Sequence, residues 1–284
     1  MTSKSPVALV TGASSGIGEA SAKALAASGY TVYGTSRRSA QSGSHAFKLL
    51  TLDVTSDASV DAAIQELLQL EGRIDLLVNN AGFGVSPAAA EESSIEHAKA
   101  IVDTNFLGVV RMTRAVLPQM RRQGSGRIIN IGSIVGLVPA PYAALYAASK
   151  HAVEGYSEAV DHEVRSYGIR VTVIEPAYTK TQFEANTLEP DAPLEVYRQV
   201  RSQVGKVVAQ AMAIGDEPSV VAEVVVKAAR AQHPKLRYTA GKIAGQLQFL
   251  RRFAPAGVFQ VLIRKNLQLD AKTPVDAKTP THAS

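Results

Sequence analysis

The sequence contains no cysteine, so neither a disulfide framework nor thiol chemistry is available to it. Its first residues lack the basic and long apolar pattern of a secretory signal, and no uninterrupted apolar run is long enough to span a bilayer. The formal net charge of +5 is modest, and aromatic and basic residues are not interleaved as an RNA-binding sheet requires. We therefore expect a cytoplasmic protein with no membrane-spanning helix and no nucleic-acid partner.

A glycine-rich turn follows the first apolar segment of the chain. Val7–Val10 is typical of a strand, Thr11–Gly18 has the spacing G-x-x-x-G-x-G, and Glu19–Ser28 is rich in alanine, which favours a helix. A strand, a glycine turn and a helix in this order are what a phosphate-binding loop requires, since glycine lets the backbone approach a phosphate and a helix start offers free N–H groups. Taken alone, the turn is also consistent with a tight turn that binds nothing.

Tyr146 and Lys150 form the second informative pair. They lie four residues apart in a stretch, 142–167, that is predicted to be a helix, so both side chains share one helix face. A tyrosine ordinarily has a pKa of about 10, which is too high for acid–base work at neutral pH. A neighbouring ammonium group favours the phenolate, and the pair therefore makes sense as a tuned general acid and base. The alternative is a chance pair on a solvated helix face.

Together with several further motifs in the same order, these features resemble the short-chain dehydrogenase/reductase family over most of the chain. The branch with the most similar loop and strand end includes hydroxysteroid and retinol dehydrogenases. One departure is Ala177, which stands where the family usually has glycine. The other matching segments are Asp53-Val54, Asn79-Asn80-Ala81-Gly82, Asn105, Ser133, and Pro176 with Thr181.

The resemblance implies a catalytic role for four residues. Ser133 would hydrogen-bond a substrate carbonyl oxygen, Tyr146 would protonate it, and Lys150 would hold the cofactor ribose and lower the tyrosine pKa. Asn105 would hold a water molecule that connects Lys150 to solvent, and no metal is needed. By the same resemblance, the cofactor-binding residues are Gly12, Ser14, Ser15, Gly16, Ile17, Gly18, Asp53, Val54, Asn80, Ala81, Gly82, Pro176, Thr179 and Thr181, together with Tyr146 and Lys150.

The end of the second predicted strand indicates which nicotinamide cofactor is used. An NAD site usually has an acidic residue here that binds the ribose 2′-hydroxyl. This sequence instead has Arg37 and Arg38, and arginine suits a 2′-phosphate through charge-assisted hydrogen bonds. The sequence therefore predicts NADP(H) in preference to NAD(H). The alternative is that both arginines are solvated surface residues.

The alternation of strands and helices predicts an α/β fold, a single Rossmann-type doubly wound parallel sheet with helices on both faces and a C-terminal helical extension. Residues 1–270 are expected to form the catalytic domain, with a substrate lid at about 178–215, C-terminal helices at about 241–269 and a disordered tail at 271–284. A long helical region is predicted at 95–122, with a bend near Pro118. The strands are expected at 7–11, 31–35, 48–52, 76–79, 127–131, 170–175 and 236–239.

The substrate pocket is expected between three variable segments that follow Gly82, Ser133 and Pro176. The second segment is apolar, which favours a small, apolar, lipid-like ketone, aldehyde or alcohol. The same apolar residues would alternatively pack the core. The candidate substrate residues are Val135, Leu137, Tyr142, Leu145 and Tyr178.

The segment 243–269 mixes apolar and basic residues, and Pro255 predicts a break between two helices. Such a segment could cover the pocket, form a subunit interface or touch a membrane surface, the last being the less favoured interpretation. The resemblance implies a homodimer or homotetramer. A non-catalytic NADP(H) sensor on the same fold is the alternative function, but the presence of all four catalytic residues favours an enzyme acting on a small-molecule carbonyl or alcohol.

Overall fold

A seven-stranded parallel sheet forms the centre of the computed structural model, which describes residues 5–37, 46–181 and 187–269. The strand order is β3-β2-β1-β4-β5-β6-β7, and every neighbouring pair is parallel. The predicted doubly wound α/β fold is thereby confirmed. The strands are β1 (Val7–Val10), β2 (Thr31–Ser36), β3 (Lys48–Thr51), β4 (Leu76–Asn79), β5 (Gly126–Ile131), β6 (Ile169–Pro176) and β7 (Arg237–Ala240).

Helices cover both faces of this sheet, and each face has its own apolar core. One core joins the sheet to α2, α4 and α5 and includes Leu67, Met112 and Val160, and the other joins it to α1 and α7 and includes Leu25 and Val225. The helices are α1 (Gly16–Ala27), α2 (Asp57–Glu71), α3 (Ile95–Val102), α4 (Gly108–Gln123), α5 (Ala144–Val164), α6 (Arg198–Ala213), α7 (Pro218–Arg230), α8 (Lys242–Phe253) and α9 (Ala256–Asn266).

The central strands are buried along their whole length because both of their faces are covered. All four residues of β1 and all four of β4 are buried, as expected for strands between two helix layers. Burying a side chain of this size contributes about 1.5–3 kcal/mol each, so the inner strands are strongly held. They provide a rigid edge from which the loops of the site project.

The strand order places four of the predicted motifs at one edge of the sheet. The chain leaves β1 in one direction and β4 in the other, which creates a crevice at the carboxyl ends of these neighbouring strands. Gly12 follows β1, Asn80 follows β4, Ser133 follows β5 and Ala177 follows β6. The sequence motifs, far apart along the chain, therefore meet at this crevice.

A chain of buried polar side chains fixes α5 against these strands. The Asn79 side-chain amide donates to the Asn130 side-chain oxygen at 2.8 Å, and the Asn130 side-chain amide donates to the Ser157 hydroxyl of α5 at 2.8 Å. Buried polar groups satisfied in this way favour one arrangement of the elements that carry them. These side chains tie β4, β5 and α5 together beneath the site.

The region predicted as one long helix is interrupted, but not at Pro118. A π-helical turn at Asp103–Leu107 separates α3 from α4, while α4 continues through Pro118 to Gln123. A continuous helix can still bend at a proline, so the predicted bend near Pro118 stays a prediction. The π turn contains Asn105, and such turns frequently occur at functional positions because they redirect a side chain.

Two C-terminal helices, α8 and α9, lie on either side of Pro255. Phe259 of α9 is buried together with Ile134 and Val138, which belong to the segment after Ser133. The C-terminal extension is therefore packed against the active-site side of the sheet. The predicted tail, 271–284, lies outside the described residues, as does residue 270.

Candidate active site

The turn between β1 and α1 has the backbone of a phosphate-binding loop. Gly12 and Gly16 have φ angles of 65° and 57°, which residues with a side chain rarely adopt. A Cβ atom at Gly18 would lie 2.3 Å from the Gly12 carbonyl oxygen, so only glycine fits. Ser15 is the N-cap of α1, but its side chain makes no capping hydrogen bond. The first-turn N–H groups of α1 therefore fit the pyrophosphate of a dinucleotide.

The remaining predicted residues of this loop surround the same helix start. Ser14 is exposed, whereas Ser15 and Ile17 are half-buried. Thr181, from the segment after β6, lies on the opposite side, since a Cβ at Gly16 would meet its side chain at 3.3 Å. The loop and Thr181 thus form two walls of one cradle, and their binding roles stay predictions.

Asn80 and Ala81 support the glycine loop from below. The backbone N–H groups of Asn80 and Ala81 donate to the Thr11 hydroxyl at 2.9 and 3.0 Å. The Asn80 side-chain amide donates to the carbonyl oxygens of Thr11 and Gly12 at 3.0 and 3.1 Å. These bonds fix the loop that follows β1 to the loop that follows β4, so that the cradle is formed before any ligand arrives.

The carboxyl ends of β2 and β3 bring Arg37 and Asp53 close together. Thr55 donates to the Asp53 carboxylate from its backbone N–H and its hydroxyl, at 2.9 and 2.8 Å. Those bonds, with smaller contributions from Arg37 and Arg111, lower the pKa of Asp53. Val54 is buried against Gly108. Arg37 is exposed, and Arg38 lies outside the described residues.

Ser133, Tyr146 and Lys150 meet between β5 and α5. Ser133 caps a short 3-10 helix over 134–136, and its hydroxyl accepts from the Val135 N–H at 3.3 Å. The Lys150 ammonium donates to the Ile131 carbonyl oxygen at 2.9 Å and lies 5.8 Å from the centre of the Tyr146 ring. The structure therefore brings together three of the four residues that the sequence predicted to be catalytic.

The protonation of this trio differs from the expectation that Lys150 lowers the tyrosine pKa. Burial raises the pKa of Tyr146 to about 12, and a hydrogen bond from Ser133 only partly opposes this rise. Burial also lowers the pKa of Lys150 to about 8, with Glu154 acting in the opposite direction. Removal from water disfavours the charged form of both groups. At neutral pH Tyr146 is thus protonated in this structure.

Asn105 is buried in the π turn and fixes the segment that follows Gly82. Its side-chain oxygen accepts from the Phe83 N–H at 3.0 Å, and its amide donates to the Phe83 carbonyl oxygen at 2.9 Å. The amide also donates to the Ser149 hydroxyl, beside Lys150, at 3.4 Å. A Cβ at Gly82 would lie 3.0 Å from the Asn105 oxygen. Asn105 thus has a positioning role here, and its proton-relay role stays a prediction.

The segment after β6 is held by Asp216. The Asp216 N–H donates to the Tyr178 carbonyl oxygen and the Lys180 N–H donates to the Asp216 carbonyl oxygen, both at 2.9 Å. Thr179, between them, is buried. Ala177 has no positive φ angle and packs against the cluster of Ile134, Val138 and Phe259. The departure from glycine is therefore accommodated without backbone strain.

The five candidate substrate residues lie in three places. Tyr142 and Leu145 line a small cavity with Val85 and Leu188, so the segments after Gly82 and after Ser133 meet the start of the lid there. The aromatic ring of Tyr142 also packs edge-on against Tyr197 of the lid. The other three residues lie elsewhere: Val135 and Leu137 pack towards α9, and Tyr178 is half-buried beside Asp216.

A residue that the sequence did not reveal, Glu92, anchors the lid. Its side chain is fully buried and accepts hydrogen bonds from the backbone of Ala89 and Leu194 and from the Arg201 guanidinium. Asp191 likewise accepts hydrogen bonds from Ser94. The described part of the predicted lid is therefore fastened to the segment before α3. The pair Glu91-Glu92 gave no signal of this in the sequence, since the partners of Glu92 in the lid, Leu194 and Arg201, lie about a hundred residues away.

A second unpredicted group, formed by Glu154, Glu175 and Arg237, lies behind the Ser133 loop. The Arg237 guanidinium donates to Glu154 at 2.9 Å and lies 3.6 Å from the carboxyl group of Glu175. A Cβ at Gly132 would be 3.1 Å from a Glu154 oxygen, so this group touches the backbone that carries Ser133. Burial, followed by the charge of Glu154, raises the pKa of Glu175 to about 8. The three residues connect β6, β7 and α5 beneath the site.

The comparisons with known proteins agree with this geometry. Residues 6–192 match the family model described as short chain dehydrogenase. An uncharacterized oxidoreductase of Bacillus subtilis, YusZ, is 34% identical over 281 residues, covering 92% of this chain and 98% of its own. A 3-ketodihydrosphingosine reductase of Bacteroides thetaiotaomicron is 44% identical over 180 residues, covering 63% of this chain and 66% of its own. The chain belongs to the short-chain dehydrogenase/reductase family and is an oxidoreductase of that family.

Solved structures of similar fold support the same assignment. A short-chain dehydrogenase from Streptomyces avermitilis, 29% identical, superposes with a TM-score of 0.78 over 96% of this chain and all of its own. A 3-ketoacyl-(acyl-carrier-protein) reductase from Brucella melitensis, complexed with NADH, has a TM-score of 0.70 at 28% identity over 82% of this chain and 96% of its own. ElxO, with NADP bound, has a TM-score of 0.70 at 26% identity over 83% of this chain and 97% of its own.

Two further features concern residues 5–37, 46–181 and 187–269. Among these residues, no group of three or more acidic or histidine side chains is arranged to hold a metal ion. In the same ranges, no helix combines the length and the apolar character needed to cross a membrane.

Proposed function

We propose that this protein is an NADP(H)-dependent enzyme that interconverts a carbonyl and an alcohol on an apolar, lipid-like small molecule. The observation that carries the proposal is the hydrogen-bonded pair of Ser133 and Tyr146, with Lys150 one helical turn further along α5. This trio lies at the sheet edge that also carries the glycine cradle. A proton donor beside a dinucleotide cradle is the minimum that carbonyl reduction requires.

The nicotinamide, when bound, supplies or accepts a hydride. The protein's own contribution is to hold and protonate the substrate oxygen. The Ser133 and Tyr146 hydroxyls would both donate to the carbonyl oxygen, and such preorganised donors are worth a few kcal/mol each in the transition state. Tyr146 then gives its proton to that oxygen. The raised pKa of Tyr146 keeps this proton in place at neutral pH, which is the form that the reduction direction needs.

Lys150 and Asn105 would serve the same step without touching the substrate carbon. The Lys150 ammonium, fixed by the Ile131 carbonyl oxygen, would hold the ribose hydroxyls of the cofactor and return a proton to Tyr146. Asn105 donates hydrogen bonds to the Phe83 carbonyl oxygen and the Ser149 hydroxyl. It would thereby keep the segment after Gly82 in place beside α5 during turnover. Both residues would therefore act mainly by holding other groups in position for the reaction.

The choice of an apolar substrate rests on the pocket walls and on one relative. Val85, Leu145 and Leu188 give apolar surface to a small cavity that also contains Ser86, Ser93 and His97. This cavity is lined by the segments around the site and not by Ser133 or Tyr146 themselves. The relative that is 44% identical over 180 residues is a reductase of 3-ketodihydrosphingosine, a long-chain ketone. Because that alignment covers only part of each chain, we propose the class of lipid-like ketones and aldehydes and not that compound.

The preference for NADP(H) rests on Arg37. It follows β2 directly, where an NAD site usually has an acid, and it is exposed to a ligand arriving from solvent. ElxO, with NADP bound, and the Brucella reductase, complexed with NADH, share this fold, so the fold alone does not determine the cofactor. By family resemblance we also expect a homodimer or homotetramer.

The proposal is tested by following NADPH oxidation with a panel of long-chain 3-ketones, aliphatic aldehydes and steroid ketones. We expect turnover with at least one class and a loss of about a thousandfold or more in kcat for Tyr146→Phe. Tyr167→Phe, an exposed tyrosine just beyond α5, is the matched control and should retain activity. NADPH binding without turnover on any carbonyl would instead favour a non-catalytic sensor.

A further inference from the structure

The outer surface of α8 and α9 exposes an unusual amount of apolar side chain. Phe249 and Phe253 are each 63% exposed, and their ring centres lie 4.7 Å apart. Seven of the fourteen large apolar residues exposed in the described part of the chain belong to these two helices. We call this surface the α8–α9 face; its apolar members are Ile243, Phe249, Leu250, Phe253, Val258, Val261 and Leu262.

The charges on the same two helices have only one sign. Residues 242–269 contain no aspartate and no glutamate. The basic side chains are all exposed, and Arg252 precedes Phe253 directly, whereas the Arg251 guanidinium lies 5.3 Å from the centre of the buried Phe259 ring. The five basic residues are Lys242, Arg251, Arg252, Arg264 and Lys265. Their number equals the net charge of +5 of the whole chain, so the charge of the protein is strongly concentrated here.

The inner side of α8 and α9 is already used for packing. Phe259 is buried against Ile134 and Val138, and Leu247 and Ile263 pack around it. The side chains of the α8–α9 face therefore cannot turn inwards to join this core. They remain on the outside of two helices that are anchored beside the segment following Ser133.

From these observations we propose that the α8–α9 face binds the surface of an anionic lipid bilayer. Amphipathic helices with aromatic and aliphatic residues on one side and arginine or lysine along it bind in the headgroup region. The guanidinium of Arg252 lies 5.6 Å from the centre of the Phe253 ring, so a charged group and an apolar group are exposed side by side on this face. That combination suits a boundary where phosphate groups lie above acyl chains.

Charge distinguishes this partner from a second copy of the chain. A two-fold symmetric interface pairs the same surface patch on both subunits. Pairing the α8–α9 face with itself would bring the basic groups of both copies together with no acidic group from these helices to neutralise them. An anionic membrane instead supplies the opposite charge, and each basic residue near such a surface contributes favourably to binding.

Binding of the complete protein to extruded vesicles, measured by co-sedimentation, tests the inference. The vesicles contain phosphatidylcholine alone or a mixture with phosphatidylserine. We expect binding to the mixed vesicles only, with a loss at high salt because salt screens surface charge. Phe249→Ser/Phe253→Ser should weaken binding roughly tenfold or more, and Arg252→Gln/Arg264→Gln should weaken it about fivefold for each charge removed.

The controls match each change at a distant surface. Leu70→Ser/Ile95→Ser removes two exposed apolar residues from α2 and α3, and Arg121→Gln/Arg122→Gln removes two exposed basic residues from the end of α4; both should bind like the wild type. Absence of binding to the mixed vesicles would overturn the inference, as would equal binding by the Phe249/Phe253 variant. The inference would also be overturned if the protein bound no vesicles but formed a dimer in light scattering, and the Phe249/Phe253 variant were a monomer. The face would then be a subunit interface. None of these outcomes depends on turnover.

Discussion

Glu154 lies one helical turn after Lys150 on α5 and accepts a hydrogen bond from Arg237 of β7 at 2.9 Å. The same guanidinium lies 3.6 Å from the carboxyl group of Glu175, so one cation is the ion-pair partner of two buried carboxyl groups. One oxygen of Glu154 and one of Glu175 have no hydrogen-bond partner within the described residues. Two carboxylates in this position repel each other, and one of them therefore keeps its proton at neutral pH.

The first prediction concerns the pH dependence of folding stability. The pKa of Glu175 is raised to about 8 in the folded protein, whereas an unfolded glutamate titrates near 4.3. Between these values the folded state binds more protons, so the free energy of unfolding falls as pH rises. Glu175→Gln should remove this decrease in the free energy of unfolding, because glutamine does not titrate. Compared with the wild type, the variant should gain about 1 to 3 kcal/mol of stability between about pH 5 and pH 9, measured by urea unfolding.

Glu158→Gln provides the contrast for that experiment. Its hydrogen bond with Arg237 lowers the pKa of Glu158, so its contribution to stability is present at neutral pH and is lost as pH falls. The difference between this variant and the wild type should therefore change with pH in the opposite direction. If both variants gave the same pH dependence, Glu175 would not be the group that holds the proton.

A second prediction follows from the effect of Glu154 on the pKa of Lys150. Burial lowers the pKa of Lys150 to about 8, and the negative charge of Glu154 opposes this shift. Glu154→Gln should therefore lower the lysine pKa further, and cofactor affinity should begin to fall at a lower pH than in the wild type. Fluorescence titration of NADPH binding across the alkaline range measures this. A structural effect of the substitution alone would weaken binding at every pH and leave the midpoint in place.

The sequence was sufficient for the features that depend on neighbouring residues. Strand boundaries follow from apolar runs, the glycine cradle from a local motif, and the Tyr146–Lys150 pair from helix periodicity. It was not sufficient for contacts between distant segments: Glu92 meets Arg201 and Glu154 meets Arg237 only because the fold brings them together. The direction of the Tyr146 pKa was also missed, since the motif shows a neighbouring ammonium but not how deeply the phenol is buried.

The third prediction concerns the close contact at Gly18. A methyl group there would overlap the Gly12 carbonyl oxygen and the Asn80 amide, at 2.3 and 2.4 Å, so Gly18→Ala must displace the loop. We expect NADPH binding to weaken by at least about tenfold, measured by isothermal titration calorimetry, because the cradle depends on backbone position. Gly205→Ala, in α6 where nothing lies within 4 Å, should bind normally and gain up to about 1 kcal/mol of stability.

The last prediction concerns the choice between the two nicotinamide cofactors. If Arg37 binds the 2′-phosphate, Arg37→Gln should reduce the affinity for NADPH by about tenfold or more while leaving the affinity for NADH nearly unchanged. Arg37 is exposed and also contributes to lowering the pKa of Asp53, so a general disturbance of this strand end would weaken both cofactors alike. The ratio of the two dissociation constants is therefore the decisive quantity. Arg122→Gln, at the end of α4, is the matched charge control and should leave that ratio unchanged, whereas a wild-type preference for NADH would refute the assignment of Arg37.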